Sequence, residues 1–438
     1  YVMSGALCGL AGVLYAARQN SPGTDTGTGW EVTALTAVVL GGISLAGGKG
    51  TIGRAMIGAV IVFVLVNGLV RLGMPGPVTS VGLGLLLLAA VGLDVKWAKN
   101  RAKVIQKIYV NPTRVDFGPM PEIARDSGSP LAENNALATV EAIGLDQIEG
   151  PEDVILDRHG RLYGSTREGW IVRFSGEDFS RRDVFARIGG RPLGMACDKG
   201  ENLIVCVGGM GLYGVRPDGE VYKLSDQTNR SWYTLNDDSR LRLADDLDIA
   251  PDGKIYFSEA TIRYEMHSWH VDGVEGRGNG RLVEHDPATG ETRTVVKSMV
   301  FPNGVCVTHD GQAVLVASTW LCKIFRYWIA GPKKGQMDIW ADNFPGYLDN
   351  INRASDGGYW VALVGIRYPA FDLAMRSPRF RYRMVKEIPV DEWIFPGVNN
   401  GCVIKLDANG KPEASYWDPG GENHPTITSM REHKGYLY

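Results

Sequence analysis

The chain has 438 residues and a formal net charge of −3, a balance that excludes the basic surface that nucleic-acid binding requires. Six cysteines (Cys8, Cys197, Cys206, Cys306, Cys322 and Cys402) include no CxxC pair, so they read as small buried hydrophobes rather than a disulfide framework or zinc site. Residues 1–94 contain seven charged residues and the remaining 344 hold the other 88, a break that marks one part built for lipid and one for water.

Four apolar stretches come first, at about 1–17, 32–47, 54–72 and 77–94. A membrane-crossing helix needs about 20 mostly apolar residues, so the runs from Met56 to Leu72 and from Val78 to Val95 are the clearest spans. The second stretch is rich in Gly, Ala and Ser, residues that let membrane helices approach closely, and it reads as packed inside a bundle. Lys49 and Arg54 precede the third stretch, and Lys96, Lys99, Arg101, Lys103 and Lys107 follow the fourth. Both clusters fall on one face, which the positive-inside rule makes cytoplasmic. The expectation is a multi-pass inner-membrane domain over 1–100, with the rest of the chain on the cytoplasmic side. Tyr1 lies inside an apolar run and Tyr438 inside a strand pattern, so both ends read as cut, and no signal peptide is visible.

The segment AGVLYAARQNSPGTDTGTGWEVTALTAVVLGGISLAGGKGTIG, followed by an apolar helix pair, resembles the C-terminal part of ribose-type ABC transporter permeases. The resemblance implies two partners, a second permease copy and a cytoplasmic ATP-binding subunit.

Residues 101–137, with Pro112, Pro119, Pro121 and Pro130 among charges, read as a linker. From residue 138 a unit recurs: strand, acidic turn with Gly, aromatic or apolar strand. It appears as VILDRHGRLYGS, GMACDKGENLIVC, DIAPDGKIYFSE, CVTHDGQAVLVA, NRASDGGYWVAL and SMREHKGYLY. Most copies are followed by a second strand-and-turn unit. Asp-Gly turns between alternating strands signal hairpins, and four strands per unit repeated six times predict an all-β six-bladed propeller over 138–438. The sixth copy ends without its second hairpin, so the last blade reads as truncated, with ATVEAI at 138–143 offered as its outer strand.

A propeller brings equivalent strand starts together at one end of its channel. Just before the repeat units stand Glu152, Asp245, Asn303, and Asp349 with Asn350. Oxygen ligands of this kind suit a hard divalent cation, calcium first, with magnesium, manganese or zinc as alternatives. Capping of turns is the alternative role for any one of them taken alone. GPEDV, GGRPLGMACD, ADDLDIAPDGKIYFSEA, FPNGVCV and PGYLDNINRASDGGYWVALVGIR resemble the strictosidine synthase-like proteins, the adipocyte plasma membrane-associated protein family among them. More distantly they are similar to gluconolactonases and paraoxonases. That resemblance implies a central metal held by Glu152, Asp245, Asn303 and Asp349, with Asn350 and Asp246 beside it against the substrate. The paraoxonase-type catalytic His would fall at Leu193, which leaves no histidine mechanism.

The leading expectation is a membrane-anchored, metal-dependent lactonase or arylesterase acting on a small ester or lactone, with Asp349 as base. The alternative is a transport-associated ligand-binding or scaffold propeller whose metal is purely structural.

Overall fold

The structure, a computed structural model, describes residues 2–20, 23–24, 26–43, 51–105, 108–229, 239–388, 390 and 399–438, with the side chains of 93–105 outside the description. It divides into two units, Tyr1–Lys107 and Ile108–Tyr438.

The first unit contains helices α1 (Val2–Gln19), α2 (Trp30–Leu40), α3 (Ile52–Arg71) and α4 (Gly76–Ile105). Of the four expected spans, α3 is the one helix among the described residues long and apolar enough to cross a membrane. The other three fall short for separate reasons. The 11 residues of α2 reach about 16 Å against a hydrocarbon core of about 30 Å. The apolar part of α4 stops at Gly92, and α1 ends in Arg18 and Gln19. Small residues do bring α2 and α3 together: a Cβ on Gly58 would lie 1.9 Å from the Ala37 carbonyl oxygen, and one on Gly41 would lie 2.2 Å from that of Arg54. Lys49 and Lys107, and the side chains of Lys96, Lys99, Arg101 and Lys103, on which the expected orientation rests, lie outside the described set.

The second unit is a propeller of five four-stranded antiparallel sheets. Blade one is β1 (Val154–Leu156), β2 (Leu162–Ser165), β3 (Trp170–Ser175) and β4 (Arg181–Arg187). Blade two is β5 (Arg191–Cys197), β6 (Leu203–Gly208), β7 (Gly211–Val215) and β8 (Val221–Ser225). Blade three is β9 (Ala244–Ile249), β10 (Ile255–Glu259), β11 (Gly280–Asp286) and β12 (Glu291–Met299), with α5 (His270–Glu275) between β10 and β11. Blade four is β13 (Pro302–Val307), β14 (Ala313–Ser318), β15 (Lys323–Trp328) and β16 (Met337–Ala341). Blade five is β17 (Gly346–Arg353), β18 (Tyr359–Ile366), β19 (Gly401–Leu406) and β20 (Pro412–Asp418), with α6 (Pro369–Arg376) and α7 (Pro378–Glu387) between β18 and β19. The first strands β1, β5, β9, β13 and β17 touch in succession and line the centre.

Turn chemistry sets the hairpins. Asp157 Oδ1 accepts the amides of His159 and Arg161, each at 2.9 Å. Asp198, Asp252, Asp310, Asp356 and Asp407 make the same side-chain-to-backbone turn in their own repeats.

The count of six blades is corrected by the sheets. The sixth repeat, SMREHKGYLY, forms only a two-stranded sheet, β21 (Glu432–His433) with β22 (Tyr436–Leu437), and one short hairpin cannot make a four-stranded blade. Nor do residues 138–143 supply a strand, since Ala136–Thr139 is a 3-10 turn and loop follows it. The ring instead closes through the segment before β21. Asn350 N donates to Thr428 O at 3.0 Å and Asn352 Nδ2 to Met430 O at 2.9 Å on one side. Thr428 Oγ1 donates to Glu152 O at 2.6 Å on the other. Within the stretch expected as a linker, Phe117 and Leu131 are buried in the propeller core, and Asn134 bridges Ser415 O at 2.8 Å and Trp417 N at 3.1 Å.

Candidate functional site in the central channel

The site residues sit where the inner strands lose register. Pairing of β9 with β10 shifts between Phe257 and Glu259, opposite Asp245 and Asp246. Pairing of β13 with β14 shifts between Pro302 and Val305, around Asn303. Pairing of β17 with β18 shifts between Leu348 and Ile351, around Asp349 and Asn350. A bulge re-aims one side chain out of the alternation, and here it turns polar groups into the channel of an otherwise apolar strand. Asp245, Asn303, Asp349 and Asn350 therefore lie within their strands, where the sequence had put them just upstream, and Glu152 alone precedes its strand. In blade two the same shift falls between Pro192 and Met195, and the side chains there are Leu193 and Gly194. Leu193 is buried, so this blade contributes no oxygen.

All six expected residues are buried and electrostatically joined. Burial first, then the charges of Asp349 and Asp245, hold the Glu152 carboxyl well above its usual range. Burial and the Asp245 and Asp246 charges do the same to Asp349, and Asn303 offsets part of it by hydrogen bonding. Burial pushes Asp245 up to about 7. Asn350 Nδ2 donates to Glu152 Oε1 at 3.0 Å. Glu152 Oε2, Asp246 Oδ1, Asn303 Oδ1, Asp349 Oδ1 and Asn350 Oδ1 are shielded from solvent without a hydrogen-bond partner. Leaving one such oxygen without a hydrogen bond costs about 1–3 kcal/mol, so five in one layer are a costly arrangement unless a further group answers them.

Below this layer the acids are answered. Asp153 Oδ2 accepts Met195 N at 2.8 Å and Arg431 Nη2 at 3.0 Å, and Asp153 Oδ1 accepts Ser429 Oγ. Asp246 Oδ2 accepts Val305 N at 2.8 Å, which ties blade three to blade four. Arg353 donates to Asp248 and, at 2.7 Å, to the Val307 carbonyl oxygen. Glu152, Asp245, Asp246 and Asp349 make no ion pair among the described residues.

The donor chemistry of the upper layer, four carboxylates and two side-chain amides, fits a hard divalent cation. Among the described residues no three His, Cys, Asp or Glu side chains are already arranged as a metal-holding group. The expected metal set is thus a set of neighbouring oxygens rather than a formed cage.

An aromatic wall stands beside it. Trp320 packs against Trp269, Phe301, Tyr347 and Phe371 with ring centroids 5.6–5.8 Å apart. Phe301 and Tyr347 each lie two residues before a site residue, and Phe301 is held at φ +43, costly for a bulky side chain. Arg191, within GGRPLG but with no role assigned from the sequence, also belongs here. Its Nη2 donates to Gly150 O at 2.8 Å, and the Glu152 charge acts on it. A guanidinium two residues from Leu193 could have been picked out as a polar group at the start of β5.

Comparison with known proteins places these features. Residues 245–332 match the family model described as Strictosidine synthase and residues 129–174 the one described as Strictosidine synthase-like, N-terminal. Residues 1–91 match that of the branched-chain amino acid transport system / permease component. The adipocyte plasma membrane-associated protein of Gallus gallus is 32% identical over 327 residues, covering 70% of this chain and 77% of that protein. Strictosidine synthase-like protein 4 of Arabidopsis thaliana is 28% identical over 316 residues, covering 70% and 81%. Among solved structures, a gluconolactonase from Xanthomonas campestris superposes with a TM-score of 0.45 at 16% identity, covering 65% of this chain and 79% of that one.

Proposed function

We propose, from the premise that this chain belongs to the family of the adipocyte plasma membrane-associated and strictosidine synthase-like proteins, that its propeller is a divalent-cation-dependent hydrolase of ester or lactone bonds. The observation that carries the reading is the upper channel layer, where Glu152, Asp245, Asp246 and Asp349 are buried without an ion pair among the described residues and five of the layer's oxygens lack a hydrogen-bond partner. Glu152, Asp245, Asn303 and Asp349 would hold the cation, calcium first on the oxygen donor set, with Asn350 and Asp246 beside them. Bound there, it would polarise the acyl carbonyl of the substrate.

The remaining work falls to this chain's own groups. Asn350 fixes Glu152 through its 3.0 Å hydrogen bond, and Asn303 steadies Asp349. Asp349 takes the proton as water adds to the acyl carbon, and returns it to the alkoxide as the acyl C–O bond breaks. The aromatic wall keeps bulk water from the acids and offers an apolar surface to the acyl chain. We place the protein at a membrane, in keeping with α3 and the permease match over residues 1–91.

Purified chain assayed on simple lactones and 4-nitrophenyl esters, with and without chelator, tests the reading. Turnover should vanish with chelator, return with calcium, and fall about 100-fold or more in Asp349→Ala. Chelator-insensitive turnover, or none at all, overturns it. The permease match supports a second reading, in which the propeller binds what a transporter moves, and protection by a ligand that is never converted would favour that one.

A further inference from the structure

The Arg191 guanidinium is only half used. Nη2 holds the Gly150 carbonyl oxygen at 2.8 Å, but Nη1 is shielded from solvent and has no hydrogen-bond partner. The Arg167 guanidinium closes on the same glycine. A Cβ on Gly150 would lie 3.5 Å from Arg167 Nε and Nη2 and 3.5 Å from Arg191 Nη2, and the glycine sits at φ +54, where a side chain would be strained. Arg167 is largely exposed, and its Nη1 pairs with Glu149 at 3.2 Å. Glu149 answers the Arg167 charge and also acts on Arg191, so what stays unanswered is the shielded Arg191 Nη1 donor, at a cost of about 1–3 kcal/mol. An anion brought by a ligand relieves it. Glu152, two residues on from Gly150, does not answer it by hydrogen bonding, because its Oε2 has no partner and its Oε1 accepts from Asn350.

We infer that Arg191 and Arg167 form an anion subsite at the rim of the channel acids, and that the substrate is an ester or lactone bearing a carboxylate away from its reacting carbonyl. This deepens the hydrolase reading and rests on it for the word substrate. A carboxylate suits the planar fork of Arg191. It also carries a single charge past Glu152, Asp245 and Asp349, where a phosphate would carry close to two and be repelled more strongly. In this role Arg191 and Arg167 position the substrate, and Asp349 remains the group that moves the proton.

The test compares 4-nitrophenyl hemisuccinate with 4-nitrophenyl butyrate, acyl chains of equal length that differ in terminal charge, on the full chain and on Arg191→Gln, Arg191→Lys and Arg167→Gln. Expected is a fall of about 10- to 100-fold in the hemisuccinate-to-butyrate ratio of kcat/KM in Arg191→Gln, carried mainly by KM, with partial recovery in Arg191→Lys. An unchanged ratio in all three variants overturns the subsite. Should Arg191→Gln fail to fold by its thermal midpoint, Arg167→Gln, whose side chain is 66% exposed, carries the comparison. If neither ester is turned over, the hydrolase reading has failed by itself, and calorimetric titration with succinate decides the subsite. Succinate binding that is lost in Arg191→Gln upholds it. Absent or unaltered succinate binding, or stronger binding of inorganic phosphate, overturns it.

Discussion

Arg431 puts its guanidinium among Asp153 Oδ2 at 3.0 Å, Met195 O at 2.8 Å, Val154 O at 3.2 Å and the Asn352 side chain. Asp153 is fully buried and Arg431 only 20% exposed, so removing the cation strands a carboxylate in low dielectric. Arg431→Met should cost about 3 kcal/mol or more in urea unfolding followed by tryptophan fluorescence. Adding Asp153→Asn should recover part of that loss, and no recovery would mean the two groups do not act as a pair. Asp272 at α5 is the opposite case. Burial pushes its carboxyl up to about 7 although Asn279 donates to Oδ2 at 2.8 Å, and Oδ1 has no partner. With the folded value raised above the ordinary 3.8, its contribution to stability is whole below about pH 4 and is lost as pH rises through about 7. Thermal midpoints should therefore decline between about pH 4 and pH 7, and Asp272→Asn should flatten that decline; an equal slope in the variant would assign it elsewhere.

At the scale of strands, glycine decides how closely the blades approach. A Cβ on Gly304 would lie 2.4 Å from Asp349 O, and one on Gly194 would lie 2.3 Å from Asp246 Oδ1 and 2.6 Å from Asp246 Cα. Each glycine abuts the bulge of the next inner strand, so alanine must push a site strand outward. Gly304→Ala is expected to cost about 2 kcal/mol by denaturation and to weaken calcium binding by calorimetry. Full calcium affinity would detach the bulge from the site. This also shows what could be read in advance. The Asp-Gly turns and alternating strands were legible because turn chemistry is local. That Glu152, Asp245 and Asp349 lie near one another was legible because repeat position substitutes for distance. The bulges were not, since a register shift depends on the partner strand, and Arg431 was not, since SMREHKGYLY read as strand rather than as the segment that closes the ring. Six repeats became five blades because one motif copy specifies one hairpin, whereas a blade needs two.

The chain joins a helical unit, with one helix among the described residues fit to cross a bilayer, to a ring whose charge is stacked in layers. The upper acids of the channel make no ion pair among the described residues, and the lower layers pair Asp153 with Arg431 and Asp248 with Arg353. That order keeps the ring cohesive below and leaves the upper acids as the place where the proposed cation would bind. The pairing also has a timetable. Asp153 and Arg431 stand 278 positions apart, and a ribosome adding about 5–20 residues per second delivers the arginine roughly 15–55 s after the aspartate. Through that interval blade one can form its hairpins, but its inner acid has no counter-charge and the ring has no last stave. Until that latch is made the nascent propeller stays an open arc, which is the period in which a chaperone would have most to shield.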